Sequence, residues 1–354
     1  MIKQKKIGVV RTDNHGLIYA ACWAPFDRYE YRLAHGQLYI LEDQSTPSIP
    51  QVDTTITGCW NVPVDDVKLS KEQFAKAFHC KAYDTLEEMA DPALFDGIFI
   101  ANCSWYGEDH VEYALPFIKA GIPLFIDKPF ANNAANAKII IDAAREYNTP
   151  IFSTSILMHV DANKRLVQKH LGDPKMVVST FSSKMEQRNA SVHTISNLLG
   201  AVWALKGEYE VVSAQYIGNE EGKNPDREKG NGEAYRILLK DGTIGIINCN
   251  DYNEYSFRLD VFGSTGVSTE YVTEPTLRYG IVDIAREFAK MIDDKIPPYH
   301  YDRIFEFVAI IDAALKSREE NGREVTIQEI ADDVGYQLGI PMEHKGVATK
   351  FGWW

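Results

Sequence analysis

Two side chains able to polarise a hydroxyl or move its proton stand out in the sequence, Lys128 and His193. Lys128 lies in Gly121-Ile-Pro-Leu-Phe-Ile-Asp-Lys-Pro-Phe-Ala131, whose apolar run reads as a buried parallel strand. Pro129 has no N–H and biases Lys128 away from helix, so the strand must end there. The charged pair Asp127-Lys128 thus falls at the carboxyl end of a buried strand, where open α/β sheets bind ligands. An ammonium beside a C–O bond stabilises developing alkoxide charge. The plainer alternative is a lysine paired with Asp127 at a strand end. His193 sits in Asn189-Ala-Ser-Val-His-Thr-Ile-Ser196, at the start of a helix with an apolar face at Ile195, Leu198 and Leu199. An imidazole, with an ordinary pKa of about 6.5, suits general-base work. A helix histidine taken alone is more often structural. Asn189 and Ser196 stand four before and three after it, and neither can hold a negative charge.

The elements that must position these groups alternate strand and helix up to about Ile156, the signature of a doubly wound parallel sheet. Lys6-Ile-Gly-Val-Val10 is the first strand, Thr54 to Trp60 the second, and Asp96 to Asn102 a later one. Ser70-Lys-Glu-Gln73 and Thr85-Leu-Glu-Glu88 are capping-box helix starts. The segment from about Pro25 to Asp53 is longer than a crossover needs and reads as a partly ordered insertion. Beyond residue 157 the pattern changes to adjacent strands: Met176 to Lys184, Val211 to Ile217, a hairpin turned on Asp241-Gly242, then Phe257 to Phe262. This predicts a second, α+β domain built on a large open antiparallel sheet. Two helices, about 277–294 and 301–320, close it, and a tail from Gly335 ends in two tryptophans, which suggests docking onto the body or a partner.

The Asp-Lys-Pro unit, with Ser153-Thr-Ser155 after the next strand, resembles the Gfo/Idh/MocA family, which carries Glu-Lys-Pro at the matching point. The Gly263-Ser-Thr-Gly266 turn and the Ala313-Ala-Leu-Lys-Ser317 helix extend the resemblance over most of the chain, leaving out the insertion and the tail. It implies an NAD(P)-dependent oxidoreductase acting on a carbohydrate or polyol hydroxyl. It also implies that Lys128 orients substrate and nicotinamide and that His193 is the base. In the family a carboxylate stands where this chain has Asn189, so that residue is counted with the catalytic group. A homodimer or homotetramer is implied as well.

The cofactor half of the motif is altered. After the first strand the family has G-x-G-x-x-G, whose glycines let backbone approach a pyrophosphate. Here Arg11, Asp13 and Gly16 occupy those places. Arg11 can pair with a phosphate, whereas Thr12, Asp13 or Asn14 can simply cap the helix. At the end of strand two Asn61 replaces the usual ribose-binding acid. The cofactor candidates are therefore Arg11, Thr12, Asp13, Gly16, Asn61, Asn102 and Lys128, for NAD or NADP. Two further readings stay open from the residues: a relative that has lost the dinucleotide and binds a sugar-like ligand, and a redox-neutral lyase or hydrolase with tightly held NAD. His110, in Glu108-Asp-His110, reads as part of a helix start rather than a metal ligand.

Composition agrees with an enzyme of this kind. The chain has 354 residues, enough for two domains, and 37 basic against 50 acidic side chains give a net charge of −13. That opposes binding to nucleic acid or anionic membrane. Five scattered cysteines without C-x-x-C support neither a disulfide framework nor a zinc cluster. The start Met-Ile-Lys-Gln-Lys-Lys carries no signal-peptide core, which makes the cytoplasm the expected location.

Overall fold

The computed structural model describes residues 4–35, 52–63, 70–101, 107–181, 183–218, 233–249, 257–272 and 274–342. The tail tryptophans, Asn102 and residues 36–51 of the insertion lie outside the described residues.

The first half forms a six-stranded parallel sheet in the order β3-β2-β1-β4-β5-β6. Its strands are β1 Lys5–Val10, β2 Thr54–Trp60, β3 Lys81–Ala82, β4 Gly97–Ile100, β5 Leu124–Ile126 and β6 Ile151–Phe152. The central strands are apolar throughout and buried on both faces, as a sheet covered by helices requires. The chain reverses direction across the sheet between β1 and β4, so a crevice opens beyond their carboxyl ends. Helix α1 (Asn14–Trp23) follows β1 directly, and α2 (Arg28–His35) orders the first part of the expected insertion. Both predicted helix starts form with the N-cap half of each box, while the Gln73 amide donates to Glu30 and the Glu88 carboxylate accepts from the Asp84 N–H. Ser70 accepts from the Gln73 N–H ahead of α3 (Lys71–Phe78), and Thr85 accepts from Glu88 ahead of α4 (Leu86–Met89).

The second half is a seven-stranded sheet in the order β12-β11-β7-β10-β9-β8-β13. Strands β7 (Pro174–Phe181), β8 (Val211–Tyr216), β9 (Glu233–Leu239), β10 (Ile244–Cys249), β11 (Phe257–Gly263) and β12 (Val267–Val272) include every predicted strand, and β13 (Val325–Thr326) is added at one edge. The sheet is antiparallel except where β10 lies parallel to β7, which makes it mixed. The β9–β10 hairpin turns at Gly242, whose φ of +85° is readily available only to glycine. Helix α8 (Arg188–Lys206) packs on this sheet and reaches back toward the first one. Helix α9 (Glu274–Asp294) packs on α1, and Trp23 donates its indole N–H to the Ala285 carbonyl. Helix α10 (Tyr301–Glu319) lies behind β8, followed by α11 (Ile327–Val334). One aromatic and aliphatic core runs from Tyr19 and Phe99 through Phe125 and Phe152 to Phe288 and Tyr299, joining the two halves.

Candidate active site

The loop after β1 keeps the shape of a phosphate loop while changing its chemistry. Arg11 has φ +70°, a left-handed conformation favoured by glycine and costing other residues about 1–2 kcal/mol. Its backbone N–H bonds the Trp60 carbonyl, fixing the loop to the end of β2. A Cβ on Gly16 would stand 2.5 Å from the Arg11 carbonyl oxygen, so only glycine lets the helix start this close to the strand. Asp13 caps α1, accepting from the N–H groups of His15 at 3.1 Å and Gly16 at 3.4 Å. It therefore occupies helix-start donors that a pyrophosphate would otherwise use. Burial pushes its carboxyl above the ordinary carboxylate range, against the opposing pull of His15.

Side chains supply compensating contacts. Arg11 reaches toward Tyr113 at 3.4 Å and Asp109 at 3.8 Å, and its buried Nε has no hydrogen-bond partner. An orphaned guanidinium N–H beside a helix start fits a phosphate oxygen. Asn61, buried at the end of β2, donates to the Thr12 hydroxyl at 2.9 Å. The residues present thus fit a dinucleotide held more by side chains than by backbone amides.

Beyond the carboxyl end of β5 the structure brings together four groups that the sequence scatters. Asp127 is 1% exposed and accepts from His15 Nδ1 at 2.5 Å. Burial alone would raise its carboxyl, but the His15 contact and the neighbouring Lys128 outweigh it and hold it below the ordinary range. Lys128 is buried, and its Nζ donates to the Asn189 carbonyl oxygen at 3.1 Å. His193, one turn further along α8, is edge-on to Phe181 and Phe257, and its Nδ1 lies 3.0 Å from the Ser155 hydroxyl. Burial, then the cationic Lys128 and His15, push this imidazole well below its usual range, so it is neutral near pH 7.

Of the sequence candidates, Lys128, His193 and Asn189 meet at one place, and Arg11, Thr12, Asp13, Gly16 and Asn61 form the adjoining loop. His110 is buried, its Nδ1 3.1 Å from the Phe130 carbonyl, as the first residue of α5 (His110–Lys119). Among the described residues no three His, Cys, Asp or Glu side chains gather as a metal site. Sequence reasoning missed His15 and Ser155. His15 stands at a variable position of the loop motif. Ser155 falls where a strand was expected to Ile156; β6 instead stops at Phe152, and the Ser155 hydroxyl accepts from Leu157 to start a short 3-10 turn, Ile156–Met158.

These features make a Rossmann-type parallel sheet with candidate groups gathered beyond the carboxyl ends of its strands. The sequence model of the oxidoreductase family with an NAD-binding Rossmann fold, Gfo/Idh/MocA, matches residues 63–154. The match begins after the altered loop and the insertion. Inositol 2-dehydrogenase of Acidiphilium cryptum is 26% identical over 242 residues, covering 62% of this chain and 68% of the relative. The enzyme of the same name from Azotobacter vinelandii is 26% identical over 239 residues, covering 60% and 66%. Among solved structures, scyllo-inositol dehydrogenase of Lactobacillus casei, with bound NAD(H) and scyllo-inositol, superposes with a TM-score of 0.66 at 16% identity. That likeness covers 92% of this chain and 100% of the other, and at this identity it speaks to the fold. Over these stretches the chain is similar to the Gfo/Idh/MocA oxidoreductases.

Proposed function

We propose that the protein oxidises or reduces one hydroxyl-bearing carbon of a cyclic polyol of the inositol class, with NAD or NADP as hydride partner. The observation that carries this is Lys128, held on the Asn189 carbonyl beside His193 at the mouth of the Rossmann crevice. Arg11 would hold the cofactor's phosphates and Asn61 a ribose hydroxyl. When bound, the nicotinamide supplies the hydride acceptor or donor. Lys128 binds the reacting oxygen, and its ammonium stabilises the charge that builds there as the C–H bond breaks. His193, oriented by Ser155 and walled by Phe181 and Phe257, lies in the same pocket. The family resemblance points to it as the acceptor of the hydroxyl proton. The inositol 2-dehydrogenase relatives support the substrate class.

The test is direct. Purified protein is titrated with NAD+, NADH, NADP+ and NADPH by ligand fluorescence, then assayed with inositol stereoisomers by formation of reduced nicotinamide. One dinucleotide should bind in the micromolar range and one cyclitol should turn over. Lys128→Met should lower kcat by about 100-fold or more, with dinucleotide affinity within a few-fold. Absence of dinucleotide binding up to about millimolar concentration would overturn the assignment.

A further inference from the structure

The ammonium of the candidate site is held from across the molecule. Lys128 follows β5 in the first half, and the carbonyl that accepts from its Nζ belongs to Asn189, in the first turn of α8 in the second half. That contact is only as precise as whatever fixes the end of β5 relative to the start of α8.

Shortly after Lys128 the chain begins helix α6 (Ala134–Glu146), capped by the Asn133 side chain on the Asn136 N–H. The Ala134 N–H is one of the donors that a helix start leaves without an intrahelical partner. It goes to the Asp312 carboxylate at 2.7 Å. The other oxygen of that carboxylate accepts from the Arg188 guanidinium at 2.5 Å. Arg188 opens α8 and immediately precedes Asn189. Asp312 lies within α10, which packs against both α6 and α8. One carboxylate thus ties the start of α6 to the start of α8, and the Lys128–Asn189 contact spans the same two segments. The Arg188 and Asp312 side chains are 11% and 17% exposed, so water screens their charge-assisted bond far less than it would a surface pair. A catalytic group works only from its proper place, and a displacement of about 1 Å can cost about 100-fold in rate.

We propose that Asp312 and Arg188 are positioning residues for the reaction and act through Lys128. Their ion pair sets the distance between the end of β5 and the start of α8, and so holds the ammonium where the reacting oxygen binds. The proposal rests on the oxidoreductase reading above and extends it to two side chains that act through another.

Three measurements on the full chain test it. Asp312→Asn keeps an oxygen for the Ala134 N–H and removes the charge facing Arg188. It should lower kcat for the inositol isomer that the wild type turns over by about tenfold, with dinucleotide affinity within about threefold of wild type. Placed on Lys128→Met, the same change should lower kcat no further, because residues that act as a unit are not additive. The third measurement needs no substrate. Reductive methylation of Lys128 by formaldehyde and cyanoborohydride, read by peptide mass, should run several-fold faster in Asp312→Asn, because an ammonium released from its carbonyl is easier to reach. A merely structural ion pair would lower thermal stability, cost the same in kcat with or without Lys128, and leave the labelling unchanged. A wild-type kcat in Asp312→Asn, an equal loss on the Lys128→Met background, or unchanged labelling would overturn the proposal. Arg188→Gln breaks the same pair while leaving Asp312 on the Ala134 N–H, and it carries the same expectations if Asp312→Asn does not fold. Failure of the wild type to bind any dinucleotide would instead refute the oxidoreductase reading, and the labelling of Lys128 would still judge the clamp.

Discussion

Replacing His159 by glutamine should make the protein markedly less sensitive to mild acid. His159 closes the 3-10 turn that begins at Ser155, so it helps set the segment on which His193 leans. It is 2% exposed, and its Nε2 lies 2.9 Å from the Tyr299 hydroxyl and 3.2 Å from that of Thr154. Burial, assisted by Lys164, drives its pKa from 6.5 down to about 3. The folded state therefore resists protonation that the unfolded chain accepts. Stability is full above pH 6.5 and declines as pH falls, until the folded imidazole itself takes a proton near pH 3. At about 1.4 kcal/mol per pH unit, the loss between pH 7 and pH 5 is about 2 kcal/mol from this one residue. It approaches about 5 kcal/mol at the lower limit, an upper bound set by how far the folded pKa is depressed. Asp13 and Glu306, whose carboxyls burial raises, act in the opposite direction, so the comparison must be between wild type and variant. Urea unfolding at pH 7 and pH 5 gives both stabilities. His159→Gln keeps an acceptor for Tyr299 and should cost about 1–3 kcal/mol at pH 7. It should then lose about 2 kcal/mol less than the wild type on going to pH 5. Equal losses would show that His159 is not held neutral in the fold, and the reasoning would fail.

Two predictions concern the site. Arg11→Gly relieves a left-handed residue, worth about 1 kcal/mol, and gives up only weak contacts to Tyr113 and Asp109, so thermal stability should hold or rise. Its dinucleotide affinity should fall about tenfold, because the guanidinium that meets a phosphate is gone; unchanged or tighter binding by fluorescence titration would remove Arg11 from the cofactor site. Ser155→Ala deletes the hydroxyl that orients His193 and should raise the polyol KM by up to about tenfold while dinucleotide affinity stays put. A KM equal to that of the wild type would show that His193 does not meet the substrate.

Much of this protein was readable because short-range physics decides it. The strand ending at Asp127-Lys128-Pro129, the caps at Ser70 and Thr85 and the hairpin at Gly242 each follow from residues within a few positions of one another. The altered loop was equally visible, and Asp13 caps α1 as its type and place imply. The parallel pairing of β10 with β7 was not visible, because two adjacent strands in sequence say nothing of which third strand one of them joins. Nor was the pairing of His15 with Asp127, which lie 112 residues apart. Their contact exists because β1 and β5 flank β4 in one parallel sheet, which sets the loop after β1 and the end of β5 on the same edge. Sequence by itself determined that the site has a lysine, a histidine without carboxylate neighbours and a loop short of glycines. Only the tertiary structure decided where the site's buried negative charge is: on Asp127, against the imidazole of His15, because strand order rather than spacing along the chain brings charges together.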